Sequence, residues 1–274
     1  MRNQVSVDYV LFKLNEVFKV VDISSELIVA DNIENAEEIC LRRNLDRVPI
    51  KKEGKIVSYF ELKTRSESVI NQDSIMADSK GILDAFIYLS KRDFYFIESE
   101  KELTHIVHYS DLNRPISLLS IYAQIAYCEM FIRDFARINN LDNTEDGIKK
   151  FVNDLNKRIR YKKNKINIEK AITNYKRKSA EVRTDLFDEL FFDDELLLFR
   201  ELVTSKLDST KLKKFNEFIR LDYSKINTFR KLRNKIMHSQ LKIVNAHSDI
   251  YEWLNLLHTC QNIINVINKK TVFY

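Results

Sequence analysis

Apolar residues in the second half of the chain recur every three or four positions, the spacing of one face of an α-helix. The clearest run comprises Leu212, Phe215, Ile219, Tyr223, Ile226, Phe229, Leu232 and Ile236. Long, mostly apolar stretches at 116–138 and 248–268 predict two more helices, and the acids that open 193–207 favour another helix start. The economical arrangement of four or five such helices is an antiparallel bundle around one core.

The first half of the chain alternates short β-type runs with amphipathic helices, and it does so twice. With an offset of 47 residues, RVPI (47–50) aligns with FYFI (94–97); after a three-residue insertion, IVSYFEL (56–62) aligns with IVHYSDL (106–112). Each repeat predicts a strand (LIVA; SIMA), a helix (NAEEICLRRN; GILDAFIYLSK), a strand (VPI; YFI), a turn and a last strand (KIVSYF; HIVHYS). The matching order and length favour duplication over chance.

The repeated unit resembles the cystathionine-β-synthase (CBS) domain, whose strand–turn–strand ending is similar to DRVPIKKEGKIVSYFEL (46–62). The resemblance implies that residues 1–114 form a tandem CBS-like module that binds an adenine nucleotide as a regulatory ligand. In that family a hydroxyl residue and an acid three positions later often face the ribose and phosphate. Ser58 and Glu61 match this spacing in the first repeat, and His108 and Asp111 match it in the second.

The chain departs from the family pattern, and other interpretations of this half stay open. Glu61 is longer than the usual Asp, His108 is not a hydroxyl residue, and the second repeat lacks the turn glycine that Gly54 supplies in the first. Asp111 would instead cap the helix that DLNRP begins, with Pro115 in its first turn. The module would then be structural or would serve dimerisation.

Composition narrows the class of protein. Hydrophobic residues make up 45% and charged residues 31%, and the chain has only 3 Gly and 2 Pro, which favours a helix-rich globular protein. The three cysteines are far apart, which fits a reducing cytoplasm. The polar N-terminus and the short apolar runs predict a cytoplasmic protein with no signal peptide and no membrane partner.

Charge is distributed unevenly along the chain. Residues 1–114 carry 16 Lys+Arg against 20 Asp+Glu, whereas residues 115–274 carry 29 against 20. Residues 149–178 hold twelve of those cations and two acids, with interleaved tyrosines, which suits an RNA backbone with stacked bases. The alternative is a solvated positive helix face. The predicted RNA contacts are Lys157, Arg158, Arg160, Tyr161, Lys162 and Lys163.

The segment RNKIMHS (233–239) places three polar residues, Arg233, Asn234 and His238, at the end of the apolar stripe. On a regular helix Arg233 and His238 would lie roughly 140° apart. They converge only if the helix ends near His238 or if a second copy contributes. The stripe is diluted after Ile236, which predicts a helix end near His238, where the dipole favours a protonated imidazole.

An Arg, a polar residue, three more residues and a His near the end of an apolar helix resemble the HEPN family. The resemblance implies that residues 115–274 form an all-α HEPN-like bundle that dimerises and acts as a metal-independent endoribonuclease, as in toxins and defence effectors. His238 would be the general base or acid, Arg233 would hold the phosphate and Asn234 would orient one of these groups. The reaction would need no cofactor, and the other four histidines are too scattered for a metal site.

A pair of charges on the 116–138 helix would support that site. Glu129 and Arg133 are four residues apart, so they face the same side of the helix. They would support the reaction centre as a buried pair within the bundle, or they would form an ordinary ion pair on the helix surface.

Together these patterns predict an α+β chain with a CBS-like module at 1–114 and a HEPN-like bundle at 115–274. The functional hypothesis is an endoribonuclease that acts as a toxin or antiviral effector. A nucleotide bound to the CBS-like module would gate it by binding one arrangement of the two HEPN-like domains in a dimer more tightly than the other. The alternative is a non-catalytic adaptor that dimerises through the CBS-like pair and binds RNA or a partner protein.

Overall fold

The computed structural model describes residues 16–139, 144–159, 165–178, 186–205, 207–238 and 242–268. In these residues the strands all precede residue 110 and the second half is helical, which confirms the α+β class. The described residues divide into two compact units. The N-terminal unit comprises 16–120 together with Val244–Tyr251, and the helical unit comprises the described parts of 121–243 and 252–268. The boundary therefore follows Ser120, whereas the sequence placed it after residue 114.

The N-terminal unit contains two sheets and two α-helices. One sheet has the strand order β1-β7-β6-β5 and is antiparallel except between β5 and β6; the other is the antiparallel sheet β2-β3-β4. The elements are β1 (Ser25–Glu26), α1 (Ile33–Arg43), β2 (Arg47–Lys52), β3 (Lys55–Glu61), β4 (Ser66–Val69), β5 (Ile75–Ala77), α2 (Ile82–Leu89), β6 (Phe94–Ser99) and β7 (Glu102–His108).

The two sequence repeats fold in the same order. In each, a helix precedes an antiparallel strand pair, β2–β3 or β6–β7. Both pairs contain a register shift at the aligned position, between Ile50 and Lys51 in the first repeat and between Ile97 and Glu98 in the second. A shared irregularity at one aligned position supports duplication, because such irregularities are local features of a particular backbone.

The repeats differ at their edges. The run LIVA does not form a strand: Ala30 makes only an isolated parallel bridge to Ile50, while the N–H of Leu27 bonds to the carbonyl of Thr104 at 2.9 Å. The run is thus divided between the two sheets. The polar segment SESV forms β4. The sequence did not predict this strand because its residues do not alternate between apolar and polar.

Seven α-helices of the described residues lie wholly or mainly in the helical unit, and two of them, α3 and α9, begin in the N-terminal unit. They are α3 (Pro115–Asn139), α4 (Glu145–Arg158), α5 (Ile168–Lys178), α6 (Phe192–Thr204), α7 (Ser209–Ile219), α8 (Tyr223–Met237) and α9 (His247–Asn268). Large aromatic side chains fill the core, among them Phe199, Phe215, Phe229 and Trp253. The indole N–H of Trp253 donates to the carbonyl of Ile243 at 3.1 Å, so burying this polar group leaves no bond unmade.

Helix α3 is the one described helix whose length and composition would allow it to cross a membrane, although no such segment was expected. In the protein 44% of that apolar window is buried. A core helix passes the same test.

The apolar stripe of residues 212–236 covers two helices rather than the one that its spacing suggests. Arg220 adopts the left-handed conformation (φ 50°, ψ 38°) and ends α7, and the Asp222 carboxylate caps α8 by accepting the backbone N–H of Lys225 at 2.8 Å. Ile219 and Ile226, on either side of the break, are both buried. Periodicity does not reveal the break because both helices direct their apolar faces into buried positions.

We predict that Arg220→Gly is more stable than Arg220→Ala by about 1 kcal/mol, because a left-handed backbone costs an L-residue roughly 1–2 kcal/mol and glycine far less. Both variants lose the same hydrogen bond from the Arg220 side chain to the carbonyl of Glu217, so their comparison isolates the backbone conformation. Urea denaturation of the two full-length variants measures the difference. Equal stability, or a more stable alanine variant, would contradict the helix break at Arg220.

Candidate functional site

Helix α8 ends at His238, as the dilution of the apolar pattern predicted. The backbone N–H of His238 bonds to the carbonyl of Asn234 at 3.0 Å and completes the helix cap. Arg233, Asn234 and His238 all line one cavity of about 560 Å³. The helix end at His238 thus places all three groups in the lining of the same cavity within a single chain.

A buried network of alternating charges holds Arg233 in this cavity wall. The Nε of Arg233 donates to Glu129 Oε1 at 3.1 Å, and Glu129 Oε2 accepts from Arg133 Nη2 at 3.4 Å. Arg133 in turn donates through Nε to Glu195 Oε1. Glu129 and Glu195 are buried, whereas the side chain of Arg233 is 26% exposed at the cavity end of the network. Glu129 and Arg133 are therefore internal support for α8 and not a surface pair.

Burial and neighbouring charges shift the pKa values of Glu195 and Arg133 in this network. Burial raises the pKa of Glu195 well above its ordinary value, and the neighbouring carboxylate of Glu129 raises it further. Burial alone would lower the pKa of Arg133, but Glu195 and Glu129 outweigh that influence and raise it. The network alternates two guanidinium groups with two carboxyl groups, and its exposed end is the guanidinium of Arg233, a group suited to binding an anion.

Asp194 forms part of the opposite cavity wall and is itself only 5% exposed. Its Oδ1 accepts the backbone N–H of Asn167 at 2.8 Å, which ties the start of α6 to the segment before α5. Burial raises the pKa of this carboxyl to about 6, although the backbone N–H groups of Asn167 and Phe191 partly offset the rise. The carboxyl is thus close to its titration range at neutral pH.

Further basic and aromatic groups surround the same cavity. Arg230 lies 3.4 Å from the carboxylate of Asp193 in an exposed ion pair. The Lys170 ammonium lies 4.3 Å from the centre of the Phe191 ring, and Phe191 is 37% exposed. The cavity therefore offers cations beside an aromatic surface, a combination suited to phosphate and base.

The predicted RNA contacts are only partly within the described residues. Lys157 is exposed and pairs with Asp154 at 2.7 Å, and it does not line the cavity. Arg158 lies in α4, but its side chain is outside the described residues, as are Arg160, Tyr161, Lys162 and Lys163. Two other cations of the basic segment, Lys165 and Lys170, do line the cavity.

The first pair of predicted nucleotide contacts is engaged within the protein. Ser58 lies inside β3, is buried, and donates a hydrogen bond to the carboxylate of Glu67. Glu61 pairs with Arg47 across the β2–β3 strands. Of this pair, Glu61 lines a cleft of the N-terminal unit.

The second pair forms a helix cap. The carboxylate of Asp111 accepts the backbone N–H of His108 at 2.8 Å and pairs with Arg114 at 3.2 Å. The His108 ring accepts the backbone N–H of Ser110 at the start of a 3-10 turn, and burial lowers the pKa of His108. Asp111 therefore caps the 3-10 turn over Tyr109–Asn113 and not α3, which begins at Pro115, so the capping interpretation is wrong for that helix.

A separate cleft of about 660 Å³ lies in the N-terminal unit. It combines cations, aromatic rings and polar groups. The guanidinium of Arg47 lies 4.3 Å from the centre of the Phe94 ring while also pairing with Glu61. The lining includes Arg47, Tyr59, Glu61, Ser68, Asn71, Lys91, Arg92, Asp93, Phe94 and His247. Of the four predicted nucleotide contacts, this cleft contains Glu61 alone.

Sequence reasoning missed several residues of the helical site. Glu195 and Asp194 were interpreted as favourable charges at a helix start, yet Glu195 lies four residues before the buried Phe199, on the apolar face. That spacing was the available signal for a buried acid. The polar face of α8 was equally visible: Tyr223, Asn227, Arg230, Asn234 and His238 recur every three or four residues.

No family model, no curated protein and no solved structure matches this chain. The CBS-like and HEPN-like resemblances therefore rest on the residues quoted for them. Among the described residues there is no group of three or more His, Cys, Asp or Glu side chains placed to share a metal ion.

The raised pKa of Asp194 predicts a pH-dependent stability. A carboxyl with a folded pKa of about 6 and an unfolded pKa near 4 stabilises the fold below pH 4, and that contribution is lost as the pH rises through 6. The loss amounts to about 3 kcal/mol. We expect Asp194→Asn, which stays neutral, to gain stability relative to the wild type between pH 4 and pH 7.

Thermal denaturation of both proteins across this pH range measures the effect. Asp208→Asn is the matched control, because it removes a carboxylate from the exposed cap of α7, where Asn caps as well as Asp. A difference between Asp194→Asn and the wild type that stays constant with pH would refute the burial of an ionised Asp194.

Proposed function

We propose that the chain is a metal-independent endoribonuclease of the HEPN type, acting as a toxin or antiviral effector, with Arg233, Asn234 and His238 as its reaction centre. The observation that carries the proposal is the buried network from Glu195 through Arg133 and Glu129 to Arg233. It fixes the guanidinium of Arg233 in the wall of a cavity that His238 also lines. A helix end evolved only for solubility would need no such internal support.

The proposed reaction transfers a phosphoryl group within the RNA strand. His238 takes the proton of a ribose 2′-hydroxyl, whose oxygen forms a bond to the adjacent phosphorus as the bond to the 5′-oxygen breaks. A protonated imidazole gives its proton to that leaving oxygen. The products are a 2′,3′-cyclic phosphate and a 5′-hydroxyl. The homodimer implied by the resemblance would supply two histidines, one for each proton transfer.

Arg233 is proposed to bind the phosphate that is cleaved. Its Nε is held by Glu129, which leaves the other guanidinium nitrogens for phosphate oxygens and keeps the group oriented. A guanidinium fixed in this way would stabilise the charge that develops on the phosphate oxygens. Asn234, exposed beside it, would orient either the phosphate or the imidazole by hydrogen bonding.

The cleft of the N-terminal unit is the proposed site of a regulatory adenine nucleotide. Arg47, Lys91 and Arg92 would hold phosphates, and Tyr59 and Phe94 offer ring surfaces to the base. Glu61 would accept from the ribose hydroxyls if its pairing with Arg47 rearranged. The other three sequence-predicted contacts, Ser58, His108 and Asp111, do not line this cleft.

We predict that purified wild-type protein cuts labelled RNA in the presence of EDTA and leaves 2′,3′-cyclic phosphate ends. His238→Ala should lower the rate by about 10²–10⁴-fold, because general acid–base catalysis contributes that much. Arg233→Ala should lower it as well. His258→Ala, an exposed histidine on α9, is the control and should cut normally. Analysis of the product ends by phosphatase sensitivity checks the chemistry.

Cutting by every variant would assign the activity to a contaminant or to another site. Tight, salt-sensitive RNA binding without any cutting by the wild type would favour the adaptor. Loss of cutting with an intact fold in His238→Ala is the result that the proposal requires.

We predict that AMP, ADP or ATP raises the melting temperature of the full-length protein, since a ligand that binds only the folded state stabilises it by about 2.7 kcal/mol at a hundredfold excess over Kd. The double variant Lys91→Ala/Arg92→Ala should lose the shift. Lys63→Ala, an exposed lysine outside the cleft, should keep it. An unchanged melting temperature with all three nucleotides would remove the regulatory ligand from the proposal and leave the ribonuclease standing.

A further inference from the structure

One face of α8 forms a mostly polar wall of the helical-unit cavity. Its members are Tyr223, Asn227, Arg230, Asn234 and His238, and all of them line the cavity. At 1.5 Å per residue, Arg230 lies about 12 Å along the helix axis from His238. The wall therefore extends beyond the reaction centre by more than the size of one phosphate group.

The opposite wall supplies an aromatic surface with a cation next to it. Phe191 precedes α6, and the ammonium of Lys170 lies 4.3 Å from the centre of its ring. The ammonium lies over one face of the ring and Phe191 is 37% exposed. A base would stack on the part of the ring that the ammonium leaves open, and the cation suits the phosphate of the same nucleotide. The cavity volume of about 560 Å³ is within the range of small-ligand sites.

Two carboxylates also face this cavity, and they are not equivalent. Asp193 is paired with Arg230 at 3.4 Å, so its charge is already balanced. Asp194 has no cation within salt-bridge distance among the described residues, and its carboxylate accepts the backbone N–H groups of Asn167 and Phe191. A carboxylate has about four acceptor positions, so Asp194 retains acceptor capacity. A buried acceptor in a cavity wall discriminates strongly between ligands that donate to it and ligands that do not.

Building on the proposed ribonuclease, we propose that this cavity is a nucleobase pocket: the base next to the cleaved phosphate stacks at Phe191 and donates its amino group to Asp194. The pocket then accepts adenine, cytosine or guanine and disfavours uracil. Uracil has no amino group, and its single ring N–H lies between two carbonyl oxygens that a carboxylate repels. Single-stranded RNA is the substrate class, because only unpaired bases present these edges to a protein.

The test measures binding separately from cutting. Full-length His238→Ala protein is titrated against short single-stranded oligo(A), oligo(C) and oligo(U) by fluorescence anisotropy. We expect oligo(A) and oligo(C) to bind roughly 5- to 100-fold more tightly than oligo(U), the range for one specific hydrogen-bonded contact. Adding Asp194→Asn should abolish this preference, because the amide can donate to a uracil carbonyl.

Two matched variants separate base reading from general effects. Asp208→Asn removes an exposed capping carboxylate elsewhere in the helical unit and should keep the preference. Phe191→Leu should weaken binding of all three oligonucleotides by a similar factor, because stacking does not depend on base identity. In otherwise wild-type protein, Asp194→Asn should add cuts next to uridine.

The outcomes distinguish this pocket from the nuclease itself. Selective binding that Asp194→Asn abolishes, in a wild type that never cuts RNA, would support the pocket and reject the nuclease. Cutting with equal affinity for all three oligonucleotides would reject the pocket and leave the nuclease intact. Absence of RNA binding by the His238→Ala protein would reject the pocket.

Discussion

The buried ion network of Glu129, Arg133, Glu195 and Arg233 is the constraint on which the helical unit depends. It joins α3, α6 and α8 through charges that apolar packing alone could not orient. Removing one partner of such a network leaves an uncompensated buried charge and costs about 3–5 kcal/mol, a large share of the stability of an ordinary domain. Its exposed end is a guanidinium, so the same interaction that fastens α8 also places a cation in a cavity.

The position of the other site groups follows from how α8 begins and ends. Asp222 caps its first turn after the left-handed Arg220, and the helix stops at His238. Between these ends, Phe229 and Leu232 are buried, whereas Asn227, Arg230 and Asn234 line the cavity. A phosphate-binding group and an imidazole therefore stand together at a helix end, next to aromatic and acidic groups that suit a base.

The N-terminal unit uses its polar groups differently. Its predicted ligand contacts form hydrogen bonds within the repeats. Ser58 bonds to Glu67 between strands, and His108 bonds to Asp111 in a cap. Arg47 contacts both Glu61 and the Phe94 ring, so it links the two repeats at the cleft. Motif spacing thus pointed to residues that stabilise this unit, and of these only Glu61 lines the cationic and aromatic cleft.

The sequence by itself determined the α+β class, the duplicated helix–strand–strand order, the helix end at His238 and the spacing of Glu129 and Arg133, because local periodicity and capping are properties of neighbouring residues. The tertiary structure alone decided the break at Arg220, the division of LIVA between two sheets, and the meeting of Glu129 with Arg233, 104 residues apart. It also decided that Glu195 is buried and that Asp194 faces the cavity. The contact between Glu129 and Arg233 and the surroundings of Asp194 depend on side chains that are distant in sequence, and no local pattern encodes which of them meet.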